Sequence, residues 1–344
     1  MLTINRNEKL TDTVFGFDLD HTLIKPKGKR KFPKDHSDWE WLYPCIPDKL
    51  KEINEHSSIM IFTNQSKQKD QIEKKIDDIS KVLGFPIEVN MSYQNDEYRK
   101  PDIQMYLDRG VCAKEFIFIG DAAGRKNDFS ASDRAFVENL KMHGINAKFM
   151  TPEEFFLNNV SEPWKFPFEP IDYIDQCNKI DINQFQIETQ TMFILVGEPA
   201  STKSTLAKMI QEINENVCII NRDTLKTKAK CIKETKLALK NGKSVVIDNT
   251  NPDKKTRNEY VSLIDKDCVS LICVNVIGSK ELINHLNVYR SRISDVARIP
   301  KIAYSMYYKK YQEPTLDEGF TKIINYNITL NIQKENELKF KMYS

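Results

Sequence analysis

Short apolar runs that each stop at a polar cluster constrain this chain more than any other feature. Val14-Phe15-Gly16-Phe17 ends in Asp18, Ile59-Met60-Ile61-Phe62 in Thr63-Asn64, and Phe116-Ile117-Phe118-Ile119-Gly120 in Asp121. Runs without polar alternation read as strands covered on both faces. Amphipathic stretches lie between them, notably Lys67 to Leu83, and strands alternating with helices imply a parallel α/β sheet. Open parallel sheets bind ligands at the carboxyl ends of their strands, so the three polar clusters are expected to converge there. The pattern resumes near residue 190. Met192 to Val196, Val217 to Ile220, Ser244 to Ile247 and Ser270 to Val274 read as strands, and Ser204 to Ile213 as a helix.

Two sheets in 344 residues give two domains, 1–160 and 190–344. The segment 161–189 contains Pro163-Trp164-Lys165-Phe166-Pro167-Phe168-Glu169-Pro170, which reads as an ordered connector, since a flexible linker is Gly/Ser-rich. A 40% hydrophobic, 29% charged composition supplies ordinary globular cores. No apolar run approaches the ~18 residues of a membrane span, and the polar N-terminus lacks the core of a secretory signal. The seven cysteines, Cys177 among them, form no C-x-x-C pair, which fits reduced thiols in an intracellular protein. Net charge is unevenly spread. From Gln190 onward there are 25 Lys and Arg against 17 Asp and Glu, or +8; the part before has 26 against 32, or −6. A basic second half suits a polyanionic partner, and equally a set of solvated Lys-rich helix faces.

Asp18 and Asp20 stand two apart at a strand end, so both side chains point the same way. Two such carboxylates can share a hard cation such as Mg²⁺, one attacking phosphorus while the other moves protons. Asp18-Leu19-Asp20-His21-Thr22 followed by Thr63, Lys100 and Gly120-Asp121 resembles the haloacid dehalogenase-type phosphatases, with a Rossmann-like parallel sheet. The resemblance implies that Asp18 becomes an aspartyl-phosphate and that Asp20 is the general acid and then the base. It implies that Thr63 holds phosphoryl oxygens and Lys100 offsets charge. Asp121, Asp18 and the backbone carbonyl of Asp20 would bind Mg²⁺. Asn64 and Arg125 are further candidates for substrate binding; Arg125 suits a bidentate phosphate contact or a structural one.

Gly197-Glu198-Pro199-Ala200-Ser201-Thr202-Lys203-Ser204 follows a strand and opens a helix. This is the position and spacing of a P-loop, whose backbone N–H groups cradle ATP phosphates. Gly197, Lys203, Ser204 and Thr205 are the expected ATP contacts, with Ser204 on Mg²⁺. Thr202 stands where the motif has its second glycine. Asp223 is a candidate base for an attacking hydroxyl or a helix N-cap. Arg222 and Asn249 are candidate substrate contacts. Arg290, Arg292 and Arg298 supply candidates for closing over the transferring phosphoryl, or a solvated basic face.

Taken together, the halves resemble the bifunctional polynucleotide kinase 3′-phosphatase family of DNA end repair. The likeness rests on Ile61-Phe62-Thr63-Asn64-Gln65, Tyr98-Arg99-Lys100-Pro101, Gly120-Asp121-Ala122-Ala123-Gly124-Arg125 and Asp128-Phe129-Ser130. In the second half it rests on Asn221-Arg222-Asp223-Thr224-Leu225 and Ile247-Asp248-Asn249-Thr250-Asn251-Pro252. It implies a nuclear (or cytoplasmic) monomer acting on DNA strand breaks. Such a protein hydrolyses 3′-phosphates and phosphorylates 5′-hydroxyls with ATP, Asp223 being the base and Arg290 the lid arginine. His21, Ala200 and Thr202 depart from family glycines. Only 17 residues precede Asp18, so no forkhead-associated domain, and no scaffold binding through one, is expected. Two rival readings remain: a 3′-phosphatase whose degenerate kinase domain only binds DNA, and a small-molecule phosphatase fused to a metabolite kinase.

Overall fold

The computed structural model describes the chain except residues 31, 67–68, 177–180, 266–267 and 295. Cys177 and the Lys67 start of the expected helix thus lie outside the described residues.

The chain divides into two compact units. The first takes Met1–Tyr173, Ser291–Arg298 and Gln333–Ser344; the second takes Ile174–Arg290 and Ile299–Ile332. This differs from a division at 1–160, 161–189 and 190–344, for reasons visible in the side chains. Lys165 donates its backbone N–H to Gly124 (3.0 Å), and Phe166 is buried against Ala131 and Ala135, which fixes the first part of the connector to the first unit. Its later part belongs to the second, where buried Phe185 packs on Tyr326 and its carbonyl accepts from Asn214 (2.9 Å). The C-terminus joins the first unit because Tyr343 exchanges backbone bonds with the side chain of buried Asn139 (2.7 and 3.0 Å). Arg292 bonds Asp102 at 2.7 Å, and Arg298 reaches its other oxygen.

The first unit is built on six strands in the order Leu2–Ile4, Glu88–Ser92, Ser58–Asn64, Thr13–Phe17, Glu115–Ile119, Ala147–Met150. Only the Leu2–Ile4 edge is antiparallel. Period-two burial separates two cores. Phe17, Ile59, Ile61 and Ile119 line one face; Val14, Met60, Phe62, Phe116 and Phe118 line the other. Gly16 sits on the second face, where a Cβ would lie 2.5 Å from the Phe116 ring. The three central strands are apolar on both faces, whereas strand Glu88–Ser92 buries Asn90 and an Arg109-paired Glu88.

The second unit holds five parallel strands, Val217–Asn221, Ser244–Asp248, Thr191–Val196, Ser270–Ile277 and Lys322–Asn327 in that order. Helix Lys203–Ile213 starts after the central strand with Leu206, Ala207 and Ile210 buried. No helix among the described residues is long and apolar enough to cross a membrane.

Candidate active sites

In the first unit, three adjacent strand ends bring the expected residues together. The Asp18 backbone N–H donates to Ile119 (2.8 Å), which fixes the nucleophile candidate beside the strand leading to Asp121. Buried Leu19 anchors the next residue in the core. His21 then adopts φ +65°, a conformation that favours glycine. This turn sends Thr22 back to Asp121: the hydroxyl donates to its carboxylate (3.1 Å) and accepts from its N–H (3.0 Å).

Lys100 is the hub. Its ammonium lies 2.7 Å from Asp18 and 2.6 Å from Asp133. Asn64 brackets the Lys100 backbone, donating to its carbonyl and accepting from its N–H, both at 2.9 Å. That places Asn64 as a clamp on the lysine loop. Thr63 is buried and accepts from Gln65 (2.9 Å), whose amide also donates to Asp20 (2.8 Å). Buried Lys75 approaches the other Asp20 oxygen at 3.4 Å.

Asp133 was not evident in the sequence. It opens helix Ser132–Met142, is 2% exposed, and accepts from the Ala122 N–H (3.1 Å). Gly120 is the trace it leaves in the chain, since a Cβ there would run into the Asp133 carboxylate. A strand-ending glycine before an aspartate, with another aspartate opening the next helix, is the available signal.

Asp18, Asp121 and Asp133 offer oxygens that all lie within 4.8 Å of one another. Burial first, and the charges of Asp133 and Asp20 next, push Asp18 up to about 7 despite Lys100. Burial, then Asp133 and Asp18, push Asp121 up to about 8. Burial opposes the charge of Lys100, but Asp133 and Asp18 outweigh it and hold its pKa above the ordinary value. One ammonium does not neutralise this cluster. Hard oxygen donors at such spacing fit a divalent cation.

Arg125 is tied into the adjoining loop. It bonds Asp128 (3.0 Å), Glu153 (2.8 Å) and the Asp121 carbonyl (3.3 Å). Of the two readings of this residue, the geometry displays the framework contacts.

In the second unit, the loop after Thr191–Val196 keeps a left-handed backbone at both departures from glycine: φ is +61° at Ala200 and +62° at Thr202. Each carries a Cβ in a conformation costing about 1–2 kcal/mol. At Gly197 a side chain would meet the Ser201 hydroxyl at 2.8 Å. Lys203 curls over the loop, bonding the Glu198 carbonyl and the Ser201 hydroxyl (3.1 Å). Burial lowers its pKa from 10.5 to about 8, against the pull of Asp248.

The Ser204 hydroxyl donates to Asp248 (2.7 Å), which also accepts from Asn221 (2.7 Å). A P-loop serine beside a strand-end aspartate is a cation-binding arrangement in phosphate-transfer sites; the part of Asp248 in it was not singled out from sequence. Thr205 follows, exposed, on the first helical turn. The cap of the short helix Arg222–Leu225 is Asn221, whose side-chain amide oxygen accepts from the backbone N–H groups of Asp223 (2.7 Å) and Thr224 (3.3 Å). Asp223 is therefore not the cap, and its exposed carboxylate lies in electrostatic reach of Lys203. Asn249 orients this turn through the Arg222 N–H (3.0 Å). Arg290 also acts on the charge of Lys203, whereas Arg292 and Arg298 belong to the first unit on Asp102.

Residues 13–156 match the family described as polynucleotide kinase 3 phosphatase. The chain is 36% identical over 330 residues to the bifunctional polynucleotide phosphatase/kinase of Schizosaccharomyces pombe, spanning 92% of this chain and 79% of that protein. It is 34% identical over 375 residues to the putative bifunctional polynucleotide phosphatase/kinase of Acanthamoeba polyphaga mimivirus, spanning 93% and 86%. A polynucleotide 3′-phosphatase of Saccharomyces cerevisiae is 28% identical over 214 residues, which is 42% of this chain and 87% of that one.

Proposed function

This chain belongs to the bifunctional polynucleotide phosphatase/kinase family, and from that premise we propose how its two sites heal a broken DNA strand. The first unit hydrolyses 3′-phosphate ends and the second phosphorylates 5′-hydroxyl ends with ATP. The observation that carries the phosphatase assignment is Lys100 bridging Asp18 and Asp133 while Asp121 lies within the same cluster.

Asp18, Asp121 and Asp133 are the candidate side-chain ligands for Mg²⁺, alongside the Asp20 carbonyl expected from the family. Once bound, the ion neutralises these carboxylates and the incoming phosphate. An Asp18 oxygen forms a bond to phosphorus as the bond from phosphorus to the strand's O3′ breaks, and Asp20 gives its proton to O3′. Water then attacks phosphorus and loses a proton to Asp20, releasing phosphate and restoring Asp18. Thr63 and Lys100 hold the phosphoryl oxygens. Asn64 acts by setting the lysine loop, and Arg125 by setting the loop after Asp121.

For the kinase, Gly197 and the helix that begins at Lys203 frame the ATP phosphates. Ser204 and Asp248 are the candidate cation ligands. Asp223 takes the proton of the 5′-hydroxyl as the hydroxyl oxygen bonds the γ-phosphorus and the bond from that phosphorus to the β,γ-bridging oxygen breaks, releasing ADP, with Arg290 facing the charge that develops. The left-handed Ala200 and Thr202 favour a working loop over a degenerate one, because its backbone conformation survives the missing glycines. A DNA-end substrate assigns the protein to the nucleus or a cytoplasmic site of DNA repair, which a fluorescent fusion would locate.

The direct test is phosphate release from a 3′-phosphate oligonucleotide and labelled transfer from ATP to a 5′-hydroxyl one. Both are expected with Mg²⁺. Release without transfer would favour the phosphatase-only reading; equal turnover of nucleotide monophosphates and DNA ends would overturn the DNA assignment.

A further inference from the structure

The phosphatase chemistry fixes the side on which the strand leaves the first site. Asp20 protonates O3′, so the sugar carrying that oxygen lies on the Asp20 side. There the structure has a cavity of about 420 Å³ walled by Lys34, Asp35, His36, Gln71, Ile72 and Lys75, among others. Lys75 connects the two places: it lines the cavity, and its ammonium lies 3.4 Å from the Asp20 carboxylate.

Distant segments make the walls. Lys34 to His36 lie in the excursion between the paired strands Ile24–Lys25 and Glu40–Trp41, Ser66 follows strand Ser58–Asn64, and Gln71, Ile72 and Lys75 lie on helix Lys69–Leu83. The His36 N–H donates to Gln71 (3.2 Å), joining them. The Lys34 N–H is held by Asp38 (2.7 Å), which leaves its side chain exposed at the rim. The Asp35 carboxylate turns back on its own loop, accepting from the N–H (2.8 Å) and hydroxyl (2.7 Å) of Ser37. Among the described residues lining this volume, the lysines are Lys34 and Lys75. Lys75 is 3% exposed, and a buried ammonium is costly unless well paired. Its carboxylate partner, Asp20, lies at 3.4 Å and is shared with Gln65. An anion in the cavity would complete its coordination. The volume falls within the ~300–1,000 Å³ of small-molecule sites, suited to one nucleotide.

Resting on the phosphatase reading, we propose that this cavity holds the 3′-terminal nucleotide of the strand, with Lys75 and Lys34 binding the phosphate on its 5′ side. The site thus reads one backbone phosphate beyond the one it removes.

The test compares phosphate release from thymidine 3′-monophosphate and thymidine 3′,5′-bisphosphate, reading the ratio of the two kcat/KM values within each variant. The ratio cancels any general loss, which matters for Lys75→Met because Lys75 touches Asp20. The wild-type protein should favour the bisphosphate by about tenfold or more, as charge-assisted contacts to a phosphate would give. Lys34→Ala and Lys75→Met should each bring the ratio toward one, and Lys34→Arg should restore it. A wild-type ratio near one, or a ratio that neither substitution moves, overturns the cavity assignment. Failure to release phosphate from any substrate, a 3′-phosphate oligonucleotide included, would overturn the phosphatase reading beneath it.

Discussion

Both candidate sites lie at the carboxyl ends of parallel strands, yet their electrostatics are opposite. The first gathers three carboxylates near one ammonium, and desolvation with mutual repulsion raises Asp18 to about 7 and Asp121 to about 8. The second buries a lysine whose pKa falls to about 8, mainly through desolvation. One site is thus short of positive charge and the other short of an anion. The same sheet architecture frames a phosphoryl acceptor in one case and a phosphoryl donor's binding loop in the other. What differs is which charge the strand ends leave buried.

The comparison breaks most visibly if Lys203 is removed. Lys203→Ala should lower 5′-hydroxyl phosphorylation by about a thousandfold while 3′-phosphate release persists, measured on separate oligonucleotides. Asp133→Asn should cost the phosphatase about 10–100-fold and move its Mg²⁺ dependence to higher concentration. A normal Mg²⁺ titration in that variant would remove Asp133 from the cation site.

Two pH experiments sharpen the contrast. Lys203 must be charged to meet ATP phosphates, and its pKa is lowered to about 8. ATP affinity should therefore decline above that pH, by up to about tenfold per unit, with proton uptake on binding seen by calorimetry in two buffers. The carboxyls run the other way. Asp18 and Asp121 hold protons in the fold that the unfolded chain releases above its ordinary 3.8, so metal-free stability falls as pH rises from about 4 through about 7 and 8. Mg²⁺ must displace those protons, so its gain in melting temperature should be larger at pH 8 than at pH 6. The smallest effects belong to the loop. Thr202→Gly and Ala200→Gly each relieve a left-handed side chain, worth about 1 kcal/mol, and should raise the second unit's melting transition by about 2–4 °C.

Sequence made the strand ends legible because unbroken apolar runs have only one place to turn polar. Asp18, Thr63 and Asp121 could be placed at the carboxyl ends of parallel strands from the apolar runs alone, and Lys203 with Ser204 where a loop opens a helix. Contacts closed by helices were harder. Asp133 and Lys75 lie on helices where a charged residue ordinarily faces solvent, and only the fold turns them toward Asp18 and Asp20. Roles also shifted within the right neighbourhood: Asn64 holds the Lys100 backbone, and Asn221 caps the turn that presents Asp223. The return of Met342 and Tyr343 to the first unit has no periodic signal, since it depends on a few residues meeting Asn139 and a preformed apolar surface.

A nicked duplex bearing a 3′-phosphate and a 5′-hydroxyl at the break tests the central claim, two separate chemistries on one chain. Asp18→Asn should leave the 3′-phosphate in place, lowering its release by about 10⁴-fold, while ATP-dependent phosphorylation of the 5′-hydroxyl proceeds at the wild-type rate. Undiminished 3′-phosphate release in that variant, or loss of both activities in a protein that still folds, would contradict the account.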